Sequence, residues 1–231
     1  MMNLLALETS TECCSVALLH GAALIERSEL APRRHAELVL PMAESLLAEA
    51  RLKRAQLDGI AVGRGPGAFT GVRLAISVAQ GLAFALNLPV VTISSVAALA
   101  MQAPRNDAAI LAVMDARMGE VYACSFLFDA NGIPKPLDEE RVARAEDLAL
   151  PKAANWNVIG SGWDAYRDAL RARLPGEPVW AKGDVFPQAR DIARLALPRF
   201  EAGEVLPPEQ ALPVYLRDKV ALTVAEREAK P

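Results

Sequence analysis

Two distant stretches of this chain run through the same plan. Leu5-Ala-Leu-Glu-Thr-Ser-Thr leads through Cys14-Ser-Val-Ala-Leu18 to a turn at Gly21, and Leu111-Ala-Val-Met-Asp-Ala-Arg leads through Val121-Tyr-Ala-Cys-Ser125 to a turn at Asn131-Gly132. Each is an apolar strand ending in an acid, a polar turn, a second strand and the start of a third. Repetition of a whole supersecondary unit predicts two like halves, and these meet near residue 105. Tight turns between strands expected over 4–8, 15–20 and 23–30 make the first unit an antiparallel meander.

The rest of the first half reads as alternating helices and strands. Residues 35–50 carry Leu38, Met42 and Leu46 on one stripe with Val39, Ala43 and Leu47 beside it, the spacing of a helix. Pro41 inside it is expected to kink that helix or to open a new first turn. A buried strand over 59–64, a helix over 70–86 and a strand over 89–93 follow, and Ser94 or Ser95 caps a short helix that ends before Pro104. In the second half we expect a strand at 158–160 and helices over 163–174 and 187–201, with a tail from 203 to 231 rich in proline and charge. The domains are then 1–104 and 105–231, each an α/β lobe with a mixed sheet and flanking helices. Duplicated meanders with crossover helices resemble the two-lobed architecture shared by actin, Hsp70 and sugar kinases (the ASKHA fold). Fold likeness alone does not give activity.

Residues 63–73, Gly-Arg-Gly-Pro-Gly-Ala-Phe-Thr-Gly-Val-Arg, form a glycine loop between strand and helix, with Gly63, Gly65, Gly67 and Arg73 as its structural residues. It is not a Walker phosphate loop, which needs Gly-Lys-Ser/Thr after four spacers. Gly63-x-Gly65-x-x-Ala68 fits a dinucleotide fingerprint loosely, yet no acidic residue lies between Asp58 and Asp107 to hold a ribose. The hydroxyls and turn amides of Thr9, Ser10 and Thr11 are candidate nucleotide contacts by analogy of fold. This turn has no glycine to admit phosphate, which favours a structural role. Cys13 and Cys14 with His35 lack a third orienting group for nucleophilic catalysis. Asp115 and Glu120 flank a turn at Gly119 with Arg117 between them, which favours an ion-paired turn over acid–base chemistry.

Composition narrows the partners. The 28 acidic and 25 basic residues leave a net charge of −3, so no global basic field points to nucleic acid. Three cysteines, two of them adjacent, make a poor disulfide framework and imply a reducing compartment. The first residues lack a basic leader pattern, and the charge-free run over 74–104 is broken by Gln80, Asn87 and Pro89. We expect a cytoplasmic protein that does not enter a membrane.

On the helix over 70–86, Gly71, Ala75, Ala79 and Ala83 recur every four residues, and Ser77, Gly81 and Ala85 form a second row. Small residues at this spacing let another helix come close. One row can face the sheet, and the other can face the 35–50 helix or a partner chain.

Three segments together resemble the bacterial TsaB (YeaZ) family: residues 5–18, the glycine loop, and Asp115-Ala-Arg-Met-Gly-Glu-Val-Tyr122, with the ending Pro213-Val-Tyr-Leu-Arg217 also similar. The family usually has Asp where this chain has Glu8. Its catalytic paralogue, TsaD, typically carries Glu-Thr-Ser there but also a His-x-x-x-His metal pair. The only histidines here, His20 and His35, do not have that spacing. The resemblance therefore implies a non-catalytic subunit with no catalytic residue, metal or cofactor of its own. It would bind and support TsaD while a threonylcarbamoyl group moves from its adenylate to the tRNA adenosine beside the anticodon. A TsaE-type ATPase joins, a homodimer forms when the chain is alone, and tRNA is met only within the complex. The interface implied is a helix bundle drawing on Gly71, Ala75, Ala79, Ala83 and Gly81, with Leu38 and Met42. The alternatives are a small-molecule kinase or other nucleotide-dependent enzyme of the same fold, and a metallopeptidase.

Overall fold

The computed structural model describes residues 2–217; the last part of the expected second half and tail, 218–231, lies outside the described residues. The chain opens with β1 (Asn3–Glu8), β2 (Cys13–His20) and β3 (Ala23–Leu30), then α1 (His35–Glu49), β4 (Gly59–Gly63), α2 (Phe69–Leu86), β5 (Val90–Ile93) and α3 (Ser95–Ala100). The first sheet has the order β3-β2-β1-β4-β5, antiparallel through the meander and parallel from β1 to β5. Both faces are covered, which explains why Leu4–Leu7 of β1 and Ile60–Val62 of β4 are continuously apolar instead of alternating. On one face Leu5, Leu7, Val16, Leu18, Ile60 and Val62 meet α1 and α2. α1 runs unbroken through Pro41, which lies on its exposed side where the missing amide bond faces water. Ser94 caps α3, its hydroxyl accepting from the Ala97 amide at 3.2 Å.

The second sheet is built from β6 (Ala109–Arg117), β7 (Glu120–Phe128), β8 (Pro134–Pro136), β9 (Arg141–Arg144), β10 (Trp156–Ile159) and, after two helices, β11 (Trp180–Lys182). Its order is β11-β10-β6-β7-β8, with β9 also paired to β7. The antiparallel β6–β7 hairpin repeats β1–β2, so the duplication read in the sequence is a duplication of structure. The single helix expected over 163–174 is two, α4 (Ser161–Ala165) and α5 (Arg167–Arg173). The chain leaves helical geometry at Tyr166, whose hydroxyl donates to Asp115 Oδ1 at 3.1 Å.

The halves are not separate in space. α3 packs Val96, Leu99 and Ala100 onto the second sheet. α6 (Ala189–Glu201) comes back to the first sheet, where Ile192, Ala193, Ala196 and Phe200 cover Leu4, Ala6, Ala17 and Ala61. A division at residue 105 thus separates the two sheets but not their covering helices. Beyond α6, Leu206 bridges to Val90, Gln80 holds the Ala211 carbonyl at 3.1 Å, and residues 212–217 run into the gap between the lobes.

Candidate functional site

The first turn is shaped by the glycine loop. Glu8 is fully buried, with Oε1 accepting from the Ser10 amide at 2.6 Å and Oε2 from the Ser95 hydroxyl at 2.8 Å; burial pushes its carboxyl above the ordinary value. Thr9 donates its hydroxyl to the Gly71 carbonyl at 2.7 Å, and Ser10 accepts the Ala68 amide at 2.7 Å. A Cβ at Gly63 would lie 2.0 Å from Glu8 Oε2, at Gly67 2.4 Å from the Ser10 carbonyl, and at Gly71 2.0 Å from the Thr9 carbonyl. The glycines are there so that this turn can sit in the loop.

That geometry changes the reading of the candidate nucleotide contacts. Thr9 is 0 % exposed and Ser10 1 %, and Thr9 already uses its hydroxyl inside the protein. Ser10 Oγ has no partner among the described residues, and Thr11 is half-buried with its hydroxyl against the Cys13 amide. Of the three, Ser10 and Thr11 line the interlobe cavity and Thr9 does not.

The cavity, about 260 Å³, lies between the β1–β2 and β6–β7 turns. Its charges are matched within the chain. Arg117 pairs with Asp115 at 3.0 Å and with Glu12 across the gap, while Glu120 pairs with Arg217 instead of with Arg117. Sequence reasoning missed Ser161, whose Oγ accepts the Asp115 amide at 3.1 Å, and the part played by Tyr215 and Arg217. Contacts between residues so far apart leave no periodic trace; the similar ending Pro213–Arg217 was the one signal available.

Cys13, Cys14 and Cys124 are buried free thiols, and burial pushes Cys14 up to about 12, far from a nucleophile's range. His35 Nε2 meets the Thr11 carbonyl at 2.8 Å and His20 Nδ1 the Asn3 amide oxygen at 2.6 Å. Among the described residues no group of three or more His, Cys, Asp or Glu is placed to hold a metal ion.

The two rows of α2 separate cleanly. Ala75, Ala79 and Ala83 are buried against the chain's own sheet and Gly71 against the β1–β2 turn at Thr9, so these four give no surface to a partner. They are small because α2 sits close on β1 and β4. The outward row is Ser77, Gly81 and Ala85, with Phe69 at 49 % and Phe84 at 60 % exposure, and a Cβ at Gly81 meets nothing within 4 Å. Leu38 and Met42 are half-buried against the same core, while Leu40 and Pro41 are among the outward apolar residues of α1. By length and composition α2 could cross a membrane; its inner face is instead part of the first lobe's core.

Two lobes built on repeated hairpins, with an interlobe cavity and helices crossing between them, define a protein of the ASKHA class. The family model for "TsaD: tRNA N6-adenosine threonylcarbamoyltransferase" matches residues 27–194. Over 226 residues the chain is 38 % identical to the tRNA threonylcarbamoyladenosine biosynthesis protein TsaB of Escherichia coli K12, covering 95 % of this chain and 96 % of that one. It is 36 % identical to the TsaB of Haemophilus influenzae, with 95 % of each covered. The solved structure of YeaZ from Pseudomonas aeruginosa superposes with a TM-score of 0.86 at 45 % identity, covering 94 % of this chain and all of that one. The chain belongs to the TsaB (YeaZ) family.

Proposed function

We propose that this chain is the non-catalytic partner of a TsaD-type tRNA N6-adenosine threonylcarbamoyltransferase. The observation that carries the reading is the outer face of α2. Arg73 is the one charged residue of this 18-residue helix, and the exposed side beyond it is small or aromatic. Such a face is suited to a helix of another chain lying close along Ser77, Gly81 and Ala85. The occupied imidazoles and buried thiols give no competing constellation for chemistry.

In this role the chain supports the TsaD-type subunit as it transfers threonylcarbamoyl from the adenylate to the tRNA adenosine, with a TsaE-type ATPase in the assembly. Alone, the same face pairs two copies, and tRNA is engaged only by the complex. Reconstitution tests it: tRNA adenosine modification is followed by mass spectrometry with the TsaD-type and TsaE-type proteins, with and without this chain. Modification should require this chain, and the chain by itself should give none. Single-protein turnover that survives repurification and disappears with Ser10→Ala, at the cavity-wall hydroxyl that has no partner among the described residues, would overturn the proposal.

A further inference from the structure

Residues 212–217 tie together parts of the molecule that are far apart in sequence. Tyr215 accepts a hydrogen bond from Arg73 Nε at 2.6 Å, and the same guanidinium lies 3.7 Å from the Phe69 ring centroid. The two rings stand 5.5 Å apart. One residue earlier, the Val214 amide donates to the Arg64 carbonyl at 2.9 Å, and the Val214 carbonyl passes over Gly65, where a Cβ would come within 3.2 Å. At the segment's end Arg217 donates to the Ala116 carbonyl at 3.0 Å and pairs with Glu120, both on the second lobe. One short segment thus links the head of α2 to the β6–β7 turn and forms a wall of the interlobe cavity.

Arg73 has a second relation. It stands four residues before Ser77 at the head of the outward row, and it is exposed. A helix laid along Ser77, Gly81 and Ala85 meets Arg73 next. We infer that residues 212–217 are a clasp between the lobes anchored on Arg73, and that a partner covering the outer row of α2 tightens the clasp through that guanidinium. The second part rests on the docking proposed above; the first does not.

Amide exchange followed by NMR on the free chain tests the clasp. Tyr215→Ala and Arg217→Gln should each speed exchange at Val214 by about tenfold or more while β1 and β4 amides keep their rates, as for local opening. Tyr215→Phe, which removes only the hydroxyl, is the milder control should Tyr215→Ala loosen the strands as well, and it should move Val214 in the same direction. Unchanged Val214 exchange in Tyr215→Phe and Arg217→Gln would overturn the clasp. Adding a TsaD-type subunit should then slow Val214 exchange in the wild type and leave Tyr215→Ala unslowed. Binding without any change at Val214 would overturn the link. If the wild type does not bind that subunit, the docking proposal and the link fall together, and the free-chain arm still decides the clasp.

Discussion

Glu8 spends both carboxylate oxygens inside the protein, and Gly63 is the residue that makes room for it. Gly71 does the same for the Thr9 carbonyl, which is backbone and cannot swing aside. Gly63→Ala and Gly71→Ala should therefore each lower unfolding free energy by roughly 1–3 kcal/mol or more, the usual cost of overpacking. Gly81→Ala, in open space within a helix, should raise it by up to about 1 kcal/mol. Urea unfolding of the three variants checks both signs. Asp191 gives a pH test. Its side chain is 1 % exposed on the first turn of α6, and burial holds its pKa at about 6 despite the salt bridges from Arg190 and Arg194. The folded protein binds this proton more tightly than the unfolded chain, so the group's cost is full above pH 6 and fades as pH falls toward 3.8. Asp191→Asn should be more stable than wild type at pH 8, by up to about 3 kcal/mol, and the gap should close near pH 4. An equal gap at both pH values would contradict this reading. That turn and loop are both glycine- or hydroxyl-rich is plain in the sequence; that one is the receptacle of the other is not, because their contact spans more than fifty residues of chain.

At the scale of elements, α2 separates what a pattern shows from what it cannot. Its two small-residue rows were legible, being a matter of spacing on one helix. Which row turned inward depended on β1 and β4 and on the C-terminal segment flanking the helix, and no local pattern encodes that. The meander, α1, β4 and the capped α3 were legible for the same local reason. The start of a third strand after Asn131-Gly132 is β8; the break at Tyr166 and the short β9 and β11 escaped, since each answers to a distant neighbour: Asp115 in the first case, an existing strand in the others. The assignment of rows makes a direct prediction. Ala79→Trp forces an indole into a site with no exposure and should unfold the first lobe, whereas Gly81→Trp should fold with near-unchanged thermal melting. Circular dichroism melts separate them, and a soluble, cooperatively folded Ala79→Trp would reverse the rows.

The molecule as a whole is two repeated hairpin sheets stitched by exchange of covering helices and by a C-terminal segment across the gap. The duplication told the number of sheets; the return of α6 to the first sheet was hidden, because an amphipathic helix pattern names a face but not the sheet that receives it. What this assembly of parts leaves outward on α2 is a long face without charge beyond Arg73, and that face is the proposed seat of a TsaD-type subunit. Calorimetric titration of such a subunit into wild type and into Gly81→Trp, both shown to be folded, tests this most directly. A complex is expected with the wild type, with affinity reduced at least about a hundredfold, or lost, for Gly81→Trp. A folded Gly81→Trp that binds as tightly as the wild type would contradict it.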